Sequence, residues 1–194
     1  MKLAYLSVAA GLALALAVVA VSCNPDPSDG AAERGVTQLA LPENVLSEEL
    51  MLPLRQAQNL HHIADVYLLD GNLTQATEAV RQILELRFPE GAAEGEDVVL
   101  DARARLGTLL VTAGELDQAM TILDAGIAGA TRESFFLSNV YTVKGKVHEA
   151  RAVALKDSDE VASKEQARLA IVAYSRSIEI DEVLKATLYK GAGK

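Results

Sequence analysis

Apolar residues recur at three- and four-residue spacing along most of the chain beyond residue 52. Leu60, Ile63 and Tyr67 form one such stripe, and Ala76, Val80, Ile83 and Leu84 form another. This spacing gathers side chains on one face of an α-helix, and no run shows the alternation of a half-buried strand. The pattern predicts helices over residues 53–70, 74–88, 97–113, 117–130, 133–156, 158–180 and, last and shortest, 182–189. Ser47-Glu48-Glu49-Leu50 offers the first helix an earlier start, with Pro53 then in its first turn or at a kink. All five prolines lie at or before Pro89. The remainder is free of the residue that most disrupts a helix. The predicted class is all-α.

Two stretches share a register. Gly71-Asn72-Leu73-Thr74-Gln75-Ala76 and Gly114-Glu115-Leu116-Asp117-Gln118-Ala119 carry Gly, Leu, Gln and Ala at the same places. In each, the glycine can take the left-handed turn that ends a helix. Thr74 and Asp117 can cap the helix that follows, and Ala76 and Ala119 allow close helix approach. The unit is helix–turn–helix, and it occurs twice. It resembles the tetratricopeptide repeat (TPR). The first copy runs Leu60-x₂-Ile63-Ala64-x₂-Tyr67, then Ala76-x₃-Val80, with Pro89 near its end. The second runs Arg103-x₂-Leu106-Gly107-x₂-Leu110, then Ala119-x₃-Leu123, with Arg103 where the family has an aromatic. A degenerate third offers Tyr141-x₂-Lys144-Gly145-x₂-His148, then Ala170-x₃-Tyr174, with extra residues between that lengthen both helices.

The resemblance implies helix–turn–helix repeats stacked as a short TPR-like solenoid over residues 43–190. A C-terminal capping helix would use Val183, Leu184, Leu188 and Tyr189 to cover the exposed end. The two turn glycines lie 43 residues apart, against about 34 in the family. The difference matches the Gly- and acid-rich insertion PEGAAEGED (Pro89–Asp97), expected to be an exposed loop.

The chain begins differently. Residues 1–22 hold one charge, Lys2, ahead of the apolar run LAYLSVAAGLALALAVVAV, and then comes the sole cysteine, Cys23. A basic start, an apolar stretch and small residues before a cut site compose a secretory signal. The run also has the length of a membrane span. Ala20-Val21-Ser22-Cys23 resembles the lipobox of bacterial lipoproteins, with Ala20 where a larger aliphatic residue is commoner. That resemblance implies a signal peptide over residues 1–22 and acylation of Cys23. The other readings are an uncleaved anchor helix and an ordinary cleaved signal in which the thiol is incidental. Asn24, in place of an aspartate, points by the same resemblance to the outer membrane, facing the periplasm. Residues 23–42 contain Pro25, Pro27, Pro42, Gly30 and Gly35 and read as a flexible tether.

Composition narrows the function. Half of the chain is apolar but only 4% is aromatic, so Ala, Leu, Val and Ile must make the core. One cysteine excludes a disulfide scaffold and a cysteine-based zinc cluster. Net charge is −9, and −10 once residues 1–22 are removed. That disfavours nucleic acid, which wants a basic face. Chemistry-bearing patterns are incomplete. His61 and His62 are adjacent and point apart on a helix. His148-Glu149 begins like a zincin motif, but Ala152 stands where the second histidine is needed. Asp157-Ser158-Asp159-Glu160 lacks the glycine of a calcium loop, and Gly145-Lys146 lacks the rest of a phosphate loop. No catalytic set, cofactor or metal is expected, and the chain does not read as an enzyme.

Binding is then the expected activity. By resemblance, a groove lined by the first helix of each repeat carries Gln58, His61, Asp65, Leu68 and Leu69, then Asp101, Ala104, Thr108, Val111 and Thr112. Asn139, Thr142, Lys146 and Glu149 would follow in the third. A register one turn different would instead put Leu68, Leu69 and Val111 in the core. The preferred ligand is an extended peptide or partner helix with basic character, since Asp65 would repel a carboxylate. The resulting expectation is a membrane-anchored TPR lipoprotein acting as a protein–protein adaptor in envelope assembly or maintenance. The alternatives are a small-ligand-binding helical lipoprotein with an enclosed pocket, and a pilotin-like secretin assembly factor.

Overall fold

The structure is a computed structural model that describes residues 47–191. The signal (1–22) and the tether (23–42), with Cys23, lie outside the described residues. Six helices follow one another: α1 (Glu48–Leu69), α2 (Leu73–Ile83), α3 (Ala93–Ala113), α4 (Leu116–Gly129), α5 (Phe135–Leu155) and α6 (Glu160–Gly191). No strand occurs among the described residues. The class is all-α, built as consecutive helix pairs with a long C-terminal helix.

The first two turns are near copies. Gly71 and Gly114 are both left-handed, at φ +71° and +78°. Their amides donate to Leu68 and Val111, each at 3.0 Å, and the next amides donate to Tyr67 and Leu110, each at 2.8 Å. This reversal satisfies carbonyls that a helix end would leave without partners. The caps differ from expectation. Asn72, not Thr74, caps α2 by accepting from the Gln75 amide at 3.1 Å. α4 starts at Leu116 after Glu115 with no side-chain cap. Asp117 lies in its first turn, where a negative charge suits the helix dipole. Ala76 and Ala119 are fully buried, as the close-approach reading requires.

Other boundaries moved for identifiable reasons. α1 begins at Glu48 because Ser47 accepts from the Leu50 amide at 3.3 Å, and Pro53 sits inside the helix, buried. α2 stops at Ile83, five residues early, ahead of Pro89 and left-handed Gly91. Half of the expected insertion loop is helix. Ala93, Glu94, Gly95, Glu96 and Asp97 open α3, where acids favour the N-terminus. Gly95 is buried against Phe88, so close that a Cβ there would lie 2.6 Å from the phenylalanine Cβ. The insertion also anchors the next connection. Glu96 accepts from the Thr131 amide at 3.1 Å and from its hydroxyl, and Asp97 pairs with Arg132 at 2.6 Å.

The last two predicted helices are one. Residues 160–190 contain neither Gly nor Pro, and Ile180 and Leu184 carry the inward stripe across the expected break. α6 runs antiparallel to α5, with Gln166 at His148 and Ser177 at Ser138 and Thr142.

The core continues through all pairs, with Ile83, Leu106, Leu110, Leu123, Val140 and Ile180 fully enclosed. Helices meet at residues with little or no side chain. Gly107 faces Leu123 and Val143, and Gly126 faces the Arg103 stem. Arg103 fills this space with its alkyl chain, while its guanidinium donates to the Ile122 carbonyl at 3.2 Å. Gly145 faces Tyr174, and a Cβ there would fall 2.5 Å from the ring. The ring is held by its hydroxyl, which donates to Glu149 at 2.6 Å. Gly145→Ala should therefore destabilise by about 1–3 kcal/mol through overpacking. Gly129→Ala, which meets open space, should leave stability unchanged or slightly raised. Thermal unfolding followed by circular dichroism distinguishes the two, at roughly 2–4 °C per kcal/mol.

Candidate protein-binding face

On α1, residues 58, 61, 65, 68 and 69 share one side of the helix by their spacing. Across from them lies α3. The two are joined by a four-residue cluster. His61 Nε2 lies 3.3 Å from an Asp101 carboxylate oxygen. Arg105 Nη1 lies 3.1 Å from His61 Nδ1, and its second Nη pairs with Asp65. A guanidinium only donates, so Nδ1 accepts and the neutral ring carries its hydrogen on Nε2, the nitrogen nearer Asp101. Burial pushes the His61 imidazole below the usual histidine range, and Arg105 adds to that push against Asp101 and Asp65.

Three expected residues are thus brought together: His61, Asp65 and Asp101. Arg105 was missed, although it stands four residues after Asp101 and three before Thr108 and so continues their stripe. Ala104, expected in the groove, is instead 1% exposed and belongs to the core. The stripe on α3 turns slightly further round than the resemblance implied, exchanging Ala104 for Arg105. Thr108 and Thr112 are exposed, and each hydroxyl donates back to the carbonyl four residues earlier. Val111 packs against the core. Gln58 is exposed, as is Leu68, and Leu69 is 86% exposed.

On α5, Asn139 and Lys146 are exposed, but Thr142 is drawn into the contact with α6. Its hydroxyl lies 2.8 Å from that of Ser177, which also meets the Ser138 hydroxyl at 2.9 Å. Glu149 accepts from Tyr174, whose hydroxyl is pushed up to about 12 by burial and by that carboxylate. His148 is buried and meets Gln166 at 2.8 Å, a structural role. Among the described residues no group of three or more His, Cys, Asp or Glu is placed to hold a metal, and no helix is long and apolar enough to cross a membrane.

A second feature had no counterpart in the sequence reading. Between α4 and α6, with α5 as floor, an open cleft of about 760 Å³ combines Met120, Tyr141, Leu169 and Val172 with Asp124, Lys144, Arg151 and Glu179. Two ion pairs line its α4 side, Lys144–Asp124 and Arg151–Asp117, both at 2.6 Å. None of the expected groove residues borders it. The cleft exists because α4 and α6 do not touch each other; each packs on α5. That separation depends on tertiary geometry and leaves no local pattern in the chain. The chain matches no family model, and comparison with curated proteins and with solved structures finds no match.

The His61 cluster has a signed pH dependence. Its folded pKa lies below the unfolded value of 6.5, so the unfolded chain binds more protons between the two. The contribution to stability is full above about pH 6.5 and is lost as pH falls through the folded pKa. Denaturant unfolding at about pH 7.5 and 5.5 should show lower stability at the acidic value. His61→Gln should reduce that difference, and an equal loss in the variant would remove the assignment.

Proposed function

We propose that this chain is a TPR-type adaptor, tethered to a bacterial envelope membrane through lipid on Cys23, that binds a segment of another protein across the exposed side of α1 and α3. The observation that carries the reading is the repeated turn. Left-handed glycine, paired backbone bonds and buried alanine recur 43 residues apart. This is the way a stack of equivalent helix pairs is made, and such stacks present extended surfaces suited to peptides and helices. The cleft between α4 and α6 is open rather than enclosed, which favours a macromolecular partner over an enclosed small ligand.

The partner's chemistry follows from charge. Asp65 and Asp101 are matched locally by Arg105 and His61, so the face itself is close to neutral and carries Leu68 and Leu69 beside it. A net charge of −9 over the whole chain steers basic partners toward it without fixing their pose. The pose would come from the apolar anchors and the threonine stripe.

Two measurements test this reading. Labelling with a palmitate analogue should be abolished by Cys23→Ala, and unchanged labelling defeats the anchor. A photo-crosslinking residue at Leu69 or Thr108 should trap a discrete adduct in the native envelope, while the same residue at exposed Thr121 on α4 should not. Equal trapping from all three positions would defeat the face.

A further inference from the structure

Among the described residues α6 is the last helix and packs on α5 alone, through Ala170, Ala173, Ser177 and Ile180. An exposed side in a helical array is ordinarily polar, and that of α6 is not. Its outer side, which borders the cleft at Ile171, Val172 and Ser175, carries Val161, Ile171, Val172, Ile178 and Tyr189, at 81, 64, 65, 58 and 71% exposure. These large apolar residues recur over seven turns of a helix about 48 Å long.

Two charge pairs on this side are symmetric about Ser175. Residues equidistant from it in sequence include Arg168 and Glu182, Glu165 and Lys185, Val172 and Ile178, and Val161 and Tyr189. In these pairs each charged member has an opposite charge at its mirror position and each apolar member an apolar one, whereas Ile171 has Glu179 at its mirror position. Within the chain these charges are poorly used. Arg168 reaches only Glu165, at 3.7 Å, and Glu182 and Lys185 have no ion-pair partner among the described residues. An antiparallel helix pair with its two-fold axis at Ser175 makes every one of these matches twice.

We infer that the outer side of α6 is a homodimerisation surface, on which a second copy of this chain packs its own α6 antiparallel about Ser175. An isologous contact of this kind closes on itself and leaves no free edge. The small side chain at Ser175 lets the two helices approach at the axis, and Arg168 meets the partner's Glu182 on both sides of it. The inference is independent of the anchor and of the α1–α3 face.

Sedimentation of the full chain in non-ionic detergent should give a concentration-dependent dimer. Arg168→Glu and Glu182→Arg should each weaken it by about tenfold, because each puts like charges together twice. The combined variant should restore it, with circular dichroism confirming helix content throughout. In a Cys23→Ala background, Ser175→Cys should form a disulfide-linked dimer on mild oxidation. Val161→Cys, about 21 Å along the helix from the axis, should not. A monomer at every concentration, a dimer indifferent to both single reversals, no rescue by the double, or equal crosslinking from both cysteines would each overturn the inference.

Discussion

Every helix crossing in this domain depends on residues that hardly have side chains. With no tryptophan and few aromatics, the chain has little bulk to fill wide gaps, so its helices must approach closely to exclude water. Ala76 and Ala119 do this within the first two pairs. Gly107, Gly126 and Gly145 do it where later helices meet, each directly under a neighbouring side chain. Close packing of Ala, Val, Leu and Ile then supplies what aromatic anchors supply elsewhere. The arrangement is unforgiving, because a methyl group placed at a crossing has nowhere to go.

That constraint explains what could be read from the chain. The Gly–Leu–Gln–Ala register was visible because close approach and a left-handed turn demand particular residues at particular positions. The class, the order of helices and the core stripe followed from it. Where a choice is decided by one local hydrogen bond, reading failed. Asn72 outcompetes Thr74 as a cap by position alone, and Ala93 can open α3 only because Gly95 fits beneath Phe88. The missing break in α6 was a matter of weight. A repeat followed by a separate capping helix calls for a break near Asp181, but Ile180 and Leu184 share one inward face and nothing between them interrupts the backbone. On the α1–α3 side, spacing placed His61, Asp65 and Asp101 together, whereas Ala104 and Arg105 were confused. A helical stripe of this width admits either, and only tertiary packing decides which points inward.

The ion pairs have a common pattern. Arg105–Asp65, Lys144–Asp124 and Arg151–Asp117 each bridge two helices, and Arg176–Glu133 and Arg132–Asp97 tie the α4–α5 connection to α6 and α3. Their carboxylates are partly or wholly exposed, so each contributes little to stability, about 0–1 kcal/mol. Their value lies in register, since a slide of one helix turn would separate the paired charges. Using five cations this way leaves the acid excess outside the seams. Local sites are therefore near neutral while the whole molecule is strongly acidic, and a single acidic residue such as Asp65 is a poor guide to what the face would bind.

A stack of three helix pairs is close to the smallest that can bury a continuous core, so its ends weigh heavily in its stability. The third pair compensates by length. α5 and α6 have 21 and 32 residues, and their mutual contact is sealed at both ends, by Ser163 on the Ala152 carbonyl and by Arg176 on Glu133. Length, however, also enlarges the outer side of α6, and helical propensity alone does not require that side to be apolar. Polar residues there would serve the fold as well. Apolar residues on a face that the other described helices leave uncovered, with Arg168–Glu182 and Glu165–Lys185 placed as opposite charges about Ser175, are accounted for by a surface built to be covered.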